Sequence, residues 1–172
     1  MTRIAALSLD QAPAGSRAAL EGIQKGLGFI PNVFKTLAHS PAALSGYQSL
    51  AQALGKTSLS AVEREVVALA ASEVNGCDYC VAAHAFFGAK AGLSEEAVGK
   101  ARMGTLSAVA ALAHQITESR GQLSDAQITA AHNAGLTDSK IVEVVAQITL
   151  LTLTNYLNNI AATDIDFPPS SN

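Results

Sequence analysis

The sequence has no tryptophan, only 5% aromatic residues and five prolines in 172 residues. Large rings are scarce and alanine is plentiful, a composition that favours close helix-on-helix packing. Charge is sparse as well: 15% of residues are charged and the net charge is −3. With no basic excess to neutralise phosphates, nucleic acid is excluded as an expected partner. No uncharged apolar run approaches the ~20 residues of a membrane span. The apolar run after Arg3 stops at Asp10, too short for a signal peptide, so the expected setting is cytoplasmic. No alternating strand pattern competes anywhere, and no linker or low-complexity segment divides the chain. Only two cysteines are present. As C-x-x-C in a chain without a signal, they read as a redox or metal pair rather than a structural staple.

What is present is organised around Glu65 to His84, E-V-V-A-L-A-A-S-E-V-N-G-C-D-Y-C-V-A-A-H. Ser60 followed by Glu63 is a capping box, so a helix is expected from Ala61. Val62, Val66, Leu69 and Ala70 give it an apolar face. Asn75-Gly76 breaks it, and a second helix is expected from about Cys77 to Ala91, closed by Gly92. At about 100° per residue, Cys77, Cys80 and His84 share one face of that second helix. In an antiparallel hairpin, Glu65 and His84 lie at about the same level. The pattern thus predicts a Glu–His–Cys cluster between two antiparallel helices.

Such a cluster has a chemical use. A cysteine in the first turn of a helix feels the positive end of the dipole, which favours thiolate and points to Cys77 as the more acidic thiol. A histidine held by a carboxylate can take and return the thiol proton. A second cysteine three residues away can capture an oxidised sulfur as a disulfide, which a dithiol then reopens.

The pattern E-x11-C-x-x-C-x3-H, entered through S-x-x-N-G-C, resembles the alkyl hydroperoxidase D branch of the carboxymuconolactone decarboxylase superfamily. Glu65, Ser72, Asn75, Gly76, Cys77, Cys80 and His84 fall in its register. The segments N-V-F-K-T-L-A-H-S-P and N-Y-L-N-N-I-A-A-T-D-I-D-F-P are similar to its uncharacterised peroxidase-related members. The resemblance implies a single compact all-α domain, with the C-x-x-C at the start of a helix in an antiparallel pair. It also implies Cys80 as the peroxidatic thiol, Cys77 as the resolving thiol, and His84 with Glu65 as the proton relay. The implied substrate is a hydroperoxide and the implied reductant a small dithiol or lipoyl-type protein, with no organic cofactor and no metal. The implied assembly is a homotrimer or homohexamer. One position departs from the pattern: a histidine often precedes the second cysteine, and here that residue is Tyr79, which can donate a hydrogen bond but not shuttle a proton near neutral pH.

Competing assignments exist for the same residues. Cys77, Cys80 and His84 supply three zinc ligands, with His114 or His132 as a fourth. Lactone decarboxylation is the second activity the superfamily suggests, and it needs acid–base residues but no cysteine pair. A redox-sensing oligomer without turnover is the third. Glu73, near the middle of the apolar face one turn before Cys77, is a candidate second acid or base. Phe87 lies close in angle to Cys80 and is a candidate pocket wall, while Met103 reads as core or interface.

Elsewhere the chain reads as punctuated helices. They are expected from Ser16 to about Gly26, from Pro41 to about Leu54, after the Ser94 cap to about Met103, and at Leu106–Ser119, with Val33 to Leu37 as a short helical turn. Another runs from the second capping box, Ser124 with Gln127, to Gly135, and the last from Thr137 to about Ala161. Residues 1–15 read as an extended arm and 167–172 as a loose tail. Hydrophobic residues reach 49%, more than a small monomer usually hides, which points to an oligomer. The last helix is apolar on nearly all sides, the mark of a central core helix or a subunit interface.

Overall fold

The computed structural model describes residues 2–167. Among these, nine helices and no strands are present. They are α1 (Ala14–Leu27), α2 (Asn32–Leu37), α3 (Pro41–Leu54), α4 (Ala61–Val74), α5 (Asp78–Lys90), α6 (Glu95–Arg102), α7 (Ala108–Ser119), α8 (Asp125–Asn133) and α9 (Asp138–Ala161). The all-α expectation holds.

The helix starts follow from their caps. Ser40, Ser60, Ser94, Ser107, Ser124 and Thr137 each accept a hydrogen bond from the backbone N–H three residues on, satisfying a donor the helix leaves free. Both capping boxes form, Ser60 with Glu63 and Ser124 with Gln127.

The central element is α4, against which α5, α6, α7 and α9 all pack. Every residue from Val66 to Ser72 is buried. A helix can be surrounded this closely only where its side chains are small, and Ala68, Ala70, Ala71 and Ser72 supply that. The sequence had offered the last helix as a central core helix or a subunit interface, and the first of these does not hold. Instead α9 buries one face, including Val144, Ile148 and Leu151, and exposes Val142, Val145, Leu153, Tyr156 and Ile160. Met103, read as core or interface, is 64% exposed and so lies outside the core.

The ends of the described chain are less loose than expected. Arg3 and Ile4 donate backbone hydrogen bonds to Ala161 O, and Ala12 is buried. Phe167, read as the start of a loose tail, is buried at 7% exposure. Residues 168–172 lie outside the described residues.

Candidate active site

The site is built on the α4–α5 hairpin. Asn75 closes α4, and Gly76 takes φ +60°, a left-handed conformation that costs glycine least. The Cys77 N–H then donates to Ser72 O at 2.9 Å. This reversal sets Cys77 as the N-cap of α5, one residue earlier than the helix proper, with its Sγ accepting from the Cys80 N–H at 3.3 Å. The second and third residues of the turn therefore fix both the hairpin and the position of the first sulfur.

Both cysteines are free and buried. The Cys77 thiol donates to Cys80 Sγ across 2.6 Å, a separation from which a disulfide closes by side-chain movement alone. From α9, Asn158 Nδ2 donates to the same sulfur at 3.3 Å. These donors hold the Cys80 thiol down at about 6: the Cys77 hydrogen bond acts most strongly, against burial, with help from the His84 charge and the Asn158 and Asn155 amides. Cys77 moves the opposite way, pushed up by its hydrogen bond to Cys80, by burial and by the charge of its neighbour. The dipole argument had favoured Cys77. Around Cys80 the Cys77 thiol, the His84 charge and the Asn158 and Asn155 amides act in the opposite sense.

One turn along α5, His84 Nδ1 lies 2.8 Å from Glu65 Oε2 on α4. Burial disfavours the imidazolium, but the Glu65 hydrogen bond and charge outweigh it, and the Cys80 charge adds to them, so the His84 pKa is raised. Cys80 and His84 line one cavity of about 140 Å³, walled by Val33, Phe34, Phe87 and Phe167 among others. Phe87 is thus the wall that its angle to Cys80 suggested. Cys80 and His84, with Thr154 and Asn158, form the polar part of the lining, and most of the remainder is apolar or aromatic.

Two sequence candidates fall outside this cluster. Tyr79 points to the C-terminal segment, where its hydroxyl donates to Asp166 Oδ1 at 2.8 Å and accepts from the Val33 N–H at 3.2 Å. Burial raises its pKa further, so the phenol stays protonated. Glu73 is corrected from a buried acid to an ion-pair partner, with Oε2 2.7 Å from Arg102 Nε and a side chain that is one-third exposed.

The zinc alternative lacks its fourth ligand. His114 pairs with Glu118, and His132 faces Leu136 O and Asp138. Among the described residues, no three His, Cys, Asp or Glu side chains are grouped to hold a metal ion.

Sequence reasoning missed the α9 amides. Asn155 donates to Ser72 Oγ at 3.1 Å and accepts from Asn75 Nδ2 at 2.8 Å, and Asn159 Nδ2 donates to Asn75 O at 2.9 Å. The signal was available: asparagines three residues apart on an otherwise apolar helix are buried polar groups that need partners. Tyr47 was missed too. It reaches the cavity from α3, and burial together with the Cys80 and Glu65 charges raises its pKa to about 12.

Comparison with known proteins agrees with the resemblance read from the cysteine register. Residues 41–114 match the carboxymuconolactone decarboxylase family. No curated protein gives a significant match. Among solved structures, the chain is similar to an alkylhydroperoxidase AhpD core, an uncharacterized peroxidase-related protein from Ralstonia eutropha JMP134. The TM-score is 0.83 and the identity 24%, over 96% of this chain and 92% of that one. An uncharacterized peroxidase-related protein from Silicibacter sp. TM1040 aligns with TM-score 0.77 and 22% identity, over 94% and 91%. The debrominase Bmp8 aligns with TM-score 0.79 and 19% identity, over 96% and 93%. At these identities the likeness to solved structures shows a shared fold.

Proposed function

We propose that this chain is a thiol-dependent hydroperoxide reductase. The observation that carries the reading is Cys80, a thiol whose pKa is held at about 6, in contact with Cys77 and lining a cavity with His84. In the first step the Cys80 thiolate attacks the terminal oxygen of the hydroperoxide. An S–O bond forms, the O–O bond breaks, and the departing alkoxide takes a proton from the His84 imidazolium. Neutral His84 then removes the Cys77 proton. Cys77 attacks the sulfenic sulfur, and hydroxide leaves as water with that proton. A small dithiol or a lipoyl-type protein reduces the disulfide and restores both thiols. Glu65 keeps His84 oriented and charged between turnovers.

Titration with peroxide tests this directly. Wild type is expected to lose both thiols, Cys77→Ser to stop at a sulfenic acid on Cys80, and Cys80→Ser to react no faster than free cysteine. Wild-type thiols reacting at the rate of free cysteine would sink the reading.

A second reading rests on the aromatic-walled cavity beside Cys80 and on the fold shared with a debrominase. It is thiolate attack on the halogen of a small aromatic ring: an S–Br bond forms as the C–Br bond breaks, the ring carbon takes a proton from His84, and Cys77 then attacks the Cys80 sulfur, expelling bromide as the disulfide closes. Bromide release from a small brominated aromatic ring in the presence of a dithiol separates it from hydroperoxide reduction. For assembly we propose a homotrimer or homohexamer, supported by the apolar stripe that α9 exposes.

A further inference from the structure

Phe167 is the last described residue, and it lies beyond the last helix. It belongs to no helix, yet it is buried. Its ring packs against four others, with centroids 5.8 Å from Phe29, 5.7 Å from Tyr79, 5.8 Å from Phe86 and 5.6 Å from Phe87. It forms one wall of the thiol cavity. The segment that carries it is fastened by side chains. Asp166 accepts from the Tyr79 hydroxyl through Oδ1 and from the Asn32 N–H through Oδ2, each at 2.8 Å. Asn32 Nδ2 donates to Asp164 O at 3.0 Å, and the Thr2 hydroxyl donates to Asp164 Oδ2 at 2.8 Å.

We infer that this C-terminal strap sets the size of the molecule that reaches Cys80, with Phe167 as the specificity-determining residue and Tyr79–Asp166 as its latch. Tyr79 lies between the two cysteines in sequence, but its hydroxyl is spent on the strap and on Val33. Its task is to tie the first turn of α5 to the cavity wall. An aromatic plug held by a few polar contacts is a discrete wall: in place, it limits the cavity to a small or ring-sized group, and displaced, it opens the same thiol to bulkier ones. Phe29 and Phe86 form the seat of the plug, outside the residues that line the cavity.

The consequence concerns access to a thiol and rests on the proposed activity only for its second readout. The first readout is alkylation of Cys80 in the full chain carrying Cys77→Ser, so that one thiol reacts. Rates are compared for iodoacetamide and for N-(1-pyrenyl)maleimide. Phe167→Ala is expected to raise the ratio of bulky to small reagent about tenfold, the scale on which an apolar pocket discriminates by size. Phe167→Leu, which keeps an apolar plug, is expected to leave the ratio near wild type. Tyr79→Phe and Asp166→Ala are expected to raise it in the same direction as Phe167→Ala, and they decide the matter if Phe167→Ala does not fold. An unchanged ratio in folded Phe167→Ala, or an equal rise for both reagents, overturns the inference.

The second readout repeats the comparison with tert-butyl and fatty-acid hydroperoxides on the chain with both cysteines, where the bulky substrate is expected to gain. If wild type turns over no hydroperoxide, the proposed function fails. The alkylation ratio still decides the role of the strap.

Discussion

Cys77 and Cys80 are three residues apart and chemically unlike, because one donates the hydrogen bond that the other receives. The alkylation rate of Cys80 is therefore expected to follow a midpoint near 6, against a reference thiol value of 9.0. Replacing Glu65 with Gln removes the carboxylate that holds His84 charged. The Cys80 midpoint is then expected to rise, and iodoacetamide kinetics across pH will show whether it does. The same shift appears in stability. A thiol whose pKa is depressed in the folded state contributes stability that is fully present above its unfolded value and is lost as pH falls through about 6. His84, raised above 6.5, contributes below that value and loses its contribution as pH rises through its folded pKa. The two slopes oppose each other, so the thiolate–imidazolium pair is most populated between them. The difference in melting temperature between wild type and Cys80→Ser is expected to shrink as pH falls from about 9 to about 6 and to level off below that. A difference that is flat across that range would remove the thiolate from the folded state. At this scale Glu65 and His84 were legible from spacing, because a hairpin puts equidistant residues side by side. Asn158 and Asp166 were not, since each meets its partner across roughly 80 positions of chain that no local pattern connects.

Helices were the most legible feature, because six of the nine described starts carry a hydroxyl cap in sequence, two of them as a full capping box. The two ends of α4 have different consequences. Ser60→Ala removes a cap at the end far from the cysteines. It is expected to cost about 1 kcal/mol of stability, with no change in the pH midpoint of Cys80. Gly76→Ala forces a side chain into φ +60°, which costs about 1–2 kcal/mol, and it displaces the residue next to the sulfur. Its expected signature is a similar loss of stability accompanied by a shifted thiol midpoint, read by denaturant melts and alkylation on the same samples. If both substitutions leave the thiol alone, the turn does not position Cys77. Which helix sits at the centre was harder to read. Periodicity marks apolar faces, but α4 is surrounded because its side chains are small, and small residues give little contrast between faces.

The exposed face of α9 belongs to the scale of the whole molecule. Val142, Val145, Leu153, Tyr156 and Ile160 are 66%, 45%, 43%, 53% and 61% exposed, and at about 100° per residue they form one stripe along the helix. The opposite face of α9 carries Asn155 and Asn158, which hold the cysteine turn. A second copy packed on the stripe would therefore stiffen the helix that supports the thiolate. On that argument Val145→Lys with Tyr156→Lys is expected to yield monomers by light scattering. The melting temperature of wild type is expected to rise with protein concentration, as mass action requires of an assembly that binds only folded chains, and that dependence is expected to vanish in the double variant. A wild-type chain that scatters as a monomer at all concentrations would leave the stripe without a self-partner. The fall in melting temperature on dissociation should be matched by a higher Cys80 midpoint, because a loosened α9 holds the Asn158 amide less firmly against the sulfur.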